Sequence, residues 1–161
     1  MDNIEQVRVY GVSFDVASKQ PIVLLKVQDT NRFLPIWIGH PEAAAILMKL
    51  QGAELPRPLT HDLLANIIAR LAATVVAVVV TELRENTFYA VIHLEADGQE
   101  ILMDSRPSDA IALAVRTESP IYVSAELLDA NAIEFEREIQ DVEEIVKEFR
   151  EFLDDVSPQD F

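Results

Sequence analysis

The sequence predicts a mixed α+β fold: two three-stranded β-meanders, each followed by helices, and an amphipathic acidic helix at the C-terminus. Three observations carry this. Short runs of strand formers separated by turn residues occur twice, over residues 7–38 and 74–103. An alanine-rich helical segment follows each set. Apolar residues near the C-terminus recur at spacings of 4 and 3, the period of a helix seam.

The first strand is Val7 to Phe14, with Val7, Val9, Val12 and Phe14 toward the interior. Gly11 breaks the alternation and marks a bulge. Ala17 to Pro21 is a turn, Ile22 to Val27 the second strand, and Asp29-Thr30-Asn31 another turn. Phe33 to Ile38 is the third strand. Pro35 inside it cannot donate to a ladder, so an edge or a bulge is expected there. A helix runs from Pro41, suited to a first-turn position, to about Leu50. The next helix starts near Thr60, a potential cap, and repeats Leu63, Leu64, Ile67, Ile68 and Leu71 at helical spacing.

The second meander begins with Thr74 to Leu83, apolar enough to be buried on both faces. Glu85-Asn86 turns it into Thr87 to Leu94, and Asp97-Gly98 turns that into Glu100 to Met103. Pro107 to Arg116 is the next helix and Ile121 to Ser124 a short strand. Ile36-Trp37-Ile38 followed by Pro41 and Glu42 echoes Ile101-Leu102-Met103 followed by Pro107 and Asp109, with one gap, which suggests a duplicated unit. The seam then reads Phe135, Ile139, Val142, Val146, Phe149 and Leu153, with Ile145 and Phe152 widening it. Its other faces are acidic, and the plain expectation is a helix docked on its own core.

Composition narrows the function. The chain has 161 residues, half of them hydrophobic, and no cysteine. That excludes disulfides, thiolate nucleophiles and zinc-thiolate sites. The first residues show no basic-then-apolar leader, and the longest apolar stretch is about half of the ~20 residues a membrane span needs. A cytoplasmic protein with no membrane role is expected. Net charge is −15, and 13 of the 28 acidic residues lie from Glu126 onward. Such a balance disfavours general phosphate-backbone binding unless a metal ion or a local arginine meets the phosphate. The four glycines form no Walker loop, dinucleotide motif or nucleophile elbow.

The candidate chemistry is polar residues at helix starts. Glu42, Asp62 and Asp109 fall in expected first turns, where a carboxylate is stabilised by about 0.3–1 kcal/mol without any catalytic role. If they converge, they can hold a divalent cation, magnesium or manganese, for phosphodiester hydrolysis. Asp104 is a further acid. His61 and His40 open helices, and a histidine can exchange a proton near neutral pH. His93 is expected on a solvated sheet face. Arg57 and Arg106 each adjoin a proline before a helix, where a guanidinium can clamp a phosphate or pair with nearby acids.

Four blocks resemble the bifunctional nuclease domain family. They are Leu34-Pro35-Ile36-Trp37-Ile38-Gly39 with Glu42 to Ile46; Arg57-Pro58-Leu59-Thr60-His61-Asp62-Leu63-Leu64; Thr87-Phe88-Tyr89-Ala90; and Arg106 to Ala114 with Pro120-Ile121-Tyr122-Val123. The resemblance is to stand-alone bacterial members and divides the chain into a nuclease-like domain, 1–130, and an acidic helix and tail, 131–161. It implies a mixed α/β fold, a homodimer or other homo-oligomer, and a nuclease with RNA or DNA as substrate. The motif positions it singles out are Glu42, His61, Asp62, Arg106, Ser108 and Asp109. On this reading Asp62, Asp109 and Glu42 hold the cation, His61 moves the proton and Arg106 steadies the phosphate. The alternative is a non-enzymatic regulatory module that self-associates and binds a partner through its acidic helix.

Overall fold

The structure, a computed structural model, describes residues 3–136 and 142–153, with side chains in the second stretch described through Lys147. Among these residues eight strands form one continuous sheet, in the order β6-β5-β4-β7-β1-β2-β3-β8. The first meander is β1 (Ile4–Phe14), β2 (Pro21–Val27) and β3 (Arg32–Trp37). The second is β4 (Thr74–Arg84), β5 (Thr87–Ala96) and β6 (Gln99–Ser105). Between them in sequence lie α1 (His40–Leu50) and α2 (Thr60–Arg70). After β6 come α3 (Pro107–Thr117), β7 (Ile121–Ser124), α4 (Ala125–Asn131), β8 (Ile133–Glu134) and α5 (Val142–Leu153).

The meanders are joined by β7, which pairs antiparallel with β1 and parallel with β4. Turn chemistry is local. Glu85 and Asn86 have φ of 52° and 62°, and Asp97 and Gly98 have 53° and 75°. Two consecutive left-handed residues make the two-residue hairpin turn whose twist matches the strands. The expected bulge occurs between Val9 and Gly11. Pro35 pairs with Leu24 on one side, while β8 reaches only Arg32 and Phe33 on the other. Its missing N–H therefore costs the ladder nothing.

The main core lies on one face, where α1, α3 and α4 cover residues such as Val78, Val80, Ala90 and Val123. Of the strand expected to be buried on both faces, Ala77 to Val80 are buried without interruption, whereas Val76 is 46% exposed. A smaller cluster on the opposite face joins Ile22, Leu24, Phe33 and Trp37 to Ile145 and Val146 of α5. The acidic helix therefore docks on its own sheet through Val146 of the expected seam, with Val142 partly buried beside it.

Three expectations need correction. Phe135 is not helical: its N–H bonds to Asn31 O, extending β8, and its ring packs edge-on against Phe33. Ile139 of the seam lies outside the described residues. Phe14 is 53% exposed, because it closes the β1–β2 ladder opposite Pro21, beyond the main core. His93 is buried at 8%, not solvated, since it lies between Ala77 and Leu102 of the flanking strands and its Nδ1 meets Glu100 Oε1 at 3.2 Å. The apolar repeat of α2 is only partly covered. Ile68 and Ala65 pack on the core, but Leu63, Leu64, Ile67 and Leu71 are 38–74% exposed.

Candidate active site at three helix starts

Helices α1, α2 and α3 begin without a hydroxyl or amide cap. Their capping positions are Gly39, Leu59 and Arg106, none of which makes a side-chain cap bond. Thr60 is thus the first helical residue of α2, not its cap. Each helix instead carries an acid at its third position: Glu42, Asp62 and Asp109. Only Asp62 acts as a cap, its Oδ2 accepting the Leu59 N–H at 3.0 Å. Glu42 turns toward Arg106 at the start of α3, and Asp109 toward His61 of α2.

A continuous chain of contacts results. Asp109 Oδ1 meets His61 Nε2 at 2.9 Å, and Asp109 Oδ2 accepts from Arg106 Nε at 2.8 Å. Arg106 Nη1 lies 3.3 Å from Glu42 Oε1. First turns of three helices thus supply one cluster, Glu42–Arg106–Asp109–His61. Glu42 and His61 are both buried, whereas the Arg106 side chain is 53% exposed. The buried acid and imidazole sit behind a guanidinium open to solvent. Ser108 is buried in the first turn of α3.

Asp62 goes elsewhere. Its Oδ1 accepts from Arg116 Nε at 2.6 Å. Arg116, whose side chain is only 6% exposed, also donates to Ala112 O at 2.8 Å and to Ala45 O at 3.0 Å. One guanidinium therefore ties α1, α2 and α3 together just behind the cluster. Arg57 is exposed and lines a separate shallow cavity with Lys49, Asp62 and Arg116. His40 is exposed, contacts Lys19 O and stacks on Phe14; Asp104 is exposed on β6.

Electrostatics follow the contacts. Burial pushes the Asp109 carboxyl up, but hydrogen bonds from Arg106 and His61 outweigh it and hold it below the ordinary aspartate range. Asp62 is also lowered, first by the Leu59 N–H, against burial, and then by Arg116. The bond to Asp109 raises Arg106 further. Arg106 spans Glu42 and Asp109, and Asp62 is drawn off to Arg116. Among the described residues no three histidine, aspartate or glutamate side chains are grouped to hold a metal ion.

Two supporting residues escape sequence reasoning. Gly39 lies where a Cβ would stand 2.6 Å from Glu42 Oε1, so glycine makes room for the carboxylate to fold back over the helix start. Arg116 lies two helical turns from Asp109, on the same face of α3. That periodicity is the one signal in the sequence pointing to it.

Comparison with known proteins identifies the family. The bifunctional nuclease domain family matches residues 23–136, which span all three helix starts. An uncharacterized protein of Mycobacterium tuberculosis is 43% identical over 162 residues, covering 97% of this chain and 97% of that protein. Bifunctional nuclease 1 of Oryza sativa subsp. japonica is 29% identical over 122 residues, 74% of this chain and 37% of that protein. Bifunctional nuclease 2 of Arabidopsis thaliana is 28% identical over 106 residues, 63% of this chain and 32% of that protein.

Proposed function

Because this chain belongs to the bifunctional nuclease domain family, we propose that it hydrolyses phosphodiester bonds of RNA and DNA at the Glu42–Arg106–Asp109–His61 cluster. The observation that carries the reading is the His61–Asp109 contact of 2.9 Å with Arg106 bound to the same carboxylate. An aspartate that accepts one imidazole N–H orients the ring and leaves the other nitrogen to exchange a proton. With Nε2–H given to Asp109, that nitrogen is Nδ1. It takes a proton from the attacking water as the water oxygen bonds to phosphorus and the bond from phosphorus to the departing oxygen breaks; solvent water protonates the departing oxygen, and His61 returns its proton to solvent. Arg106, the exposed member, meets the phosphate oxygens. The three helix starts add partial positive charge at the same place.

Glu42 and Asp109 are the carboxylates nearest to serving magnesium or manganese, but Arg106 already bridges them, so this donor set does not fit a dedicated cation site. Asp62 on this reading positions α2 through Arg116 and does not touch the substrate.

The test is cleavage of labelled single-stranded RNA and DNA by highly purified protein with magnesium, manganese or EDTA. His61→Ala and Asp109→Asn are each expected to lower the rate by about 10²–10⁴-fold while the fold is kept. Arg106→Ala should act mainly on substrate affinity. Equal trace cleavage by wild type and all variants defeats the reading. The net charge of −15 then favours the second one, a non-enzymatic interaction module.

A further inference from the structure

We propose that Lys49, Arg57 and Arg116 form a second phosphate site, which holds a phosphate neighbouring the scissile one in an RNA or DNA strand. The inference rests on the nuclease reading and adds to it a preference for substrates longer than one linkage. Arg57 lies between Pro56 and Pro58 in the connector from α1 to α2. A proline fixes its own φ and confines the residue before it to extended backbone, so the connector presents Arg57 with little backbone freedom left to lose. Lys49 lies in the last turn of α1, and Arg116 comes from the last turn of α3. The three line one cavity of about 410 Å³.

Two observations mark the cavity as a place for an anion. Lys49 and Arg57 are exposed and, among the described residues, have no carboxylate partner. The chain has 28 acids against 13 bases, so acid is plentiful, yet two cations on one cavity are left without it. Arg116 is the second observation. A guanidinium has five N–H groups, and bonds to Asp62, Ala112 O and Ala45 O engage three of them. The side chain is 6% exposed and held by those bonds, so its position at the cavity wall is fixed before any ligand arrives. Arginine's planar fork matches phosphate oxygens. The acids of the lining are Glu54 and Asp62. Asp62 has one oxygen on Arg116 and the other on the Leu59 N–H, which leaves Glu54 to oppose an incoming anion.

Position selects the occupant. His61 and Asp62 are consecutive on α2, and the first turns to Asp109 while the second turns to Arg116. The cluster and the cavity therefore flank one helix start. A strand crossing that start with one phosphate at Arg106 brings a neighbouring phosphate to Arg57 and Lys49. The positive field of the cavity also offsets, at this one place, the repulsion a −15 chain exerts on a polyanion.

The test has two arms. The first compares cleavage of a dinucleotide, whose single phosphate leaves the second site unfilled, with cleavage of a tetranucleotide. Wild type is expected to favour the tetranucleotide by at least about 10-fold in kcat/KM, and Arg57→Ala and Lys49→Ala should each remove most of that preference through KM. The second arm reads binding without turnover, by fluorescence polarisation of a labelled tetranucleotide on His61→Ala protein over a range of salt. Adding Arg57→Ala should weaken binding about 10-fold and lower the slope of log K against log salt by about 0.7, the share of one single-strand phosphate. Glu54→Gln should tighten binding by about 2–3-fold. Arg8→Ala, which removes an exposed cation beside Tyr10, should change neither affinity nor preference. A salt slope unchanged by Arg57→Ala, or an equal loss on both substrates, overturns the second site. So does binding of polyglutamate in place of the tetranucleotide with the same dependence on Arg57, since the cavity then takes acidic peptide. Absence of cleavage with the slope still lowered overturns the nuclease reading and leaves the phosphate site standing.

Discussion

Arg116 and Gly39 are the residues on which the cluster's geometry rests, and neither is chemically conspicuous in the sequence. Arg116→Ala leaves two carbonyls and the Asp62 carboxylate without their donor. The expected cost is about 2–4 kcal/mol, read as a shift in the urea midpoint. Arg116→Lys should recover little, because an ammonium cannot reproduce the fork. Gly39→Ala tests a subtler point. Its φ of −75° suits any residue, so the backbone is content, but the new methyl forces the Glu42 carboxylate away from Arg106. Stability should fall by less than about 1 kcal/mol, since a flexible side-chain end yields cheaply, while cleavage kinetics change more. The acids give a pH signature. Asp62 and Asp109 are both held below their ordinary range, so the unfolded chain binds protons first. Their stabilisation is complete above about pH 4 and is lost as pH falls through the folded values. Urea midpoints measured from neutral to acid pH should show a shallower acid loss in Asp62→Asn than in wild type. The sequence showed which polar residues open helices. It did not show that Asp62 would leave the other acids, because that depends on an arginine 54 residues away.

At the scale of elements, α5 meets the sheet where β1 is bulged. A Cβ on Gly11 would stand 2.9 Å from Val142 Cγ2, so Gly11→Ala overpacks this junction. The expected loss is about 1–3 kcal/mol, and Val142→Ala in the same chain should restore most of it. A double-mutant cycle by urea denaturation measures that coupling. Periodicity made both hairpins, the bulge and α1 to α3 legible, because each depends on neighbours a few residues apart. It misread Phe135, whose 4-3 spacing continues the α5 seam although Asn31 draws its backbone into β8. It also gave α2 an apolar stripe without saying what faces it. A helical period reports that a surface is apolar; it says nothing of whether the cover comes from the same chain. His93 shows the limit for strands, since its burial depends on Glu100 of the next strand folding toward it.

For the whole molecule, the two meanders and their helices were legible, and the echo between them has a counterpart: β3 leads into α1 and β6 into α3, each with an acid at the third position. Their union into one sheet was not, since nothing in a four-residue strand announces both its neighbours. Strand β7 pairs Ile4 with Ser124 and Val78 with Ile121. That arrangement has a consequence for a chain made from its N-terminus. Every strand of both meanders precedes β7 in the chain, so a polypeptide released short of β7 carries two half-sheets whose inner margins are both open. Until β7 arrives, those margins offer templates for the wrong neighbour. A pause just ahead of Ile121 would prolong that hazard, and stalled nascent chains released there should aggregate or engage a holdase, whereas chains released after Ser124 should close.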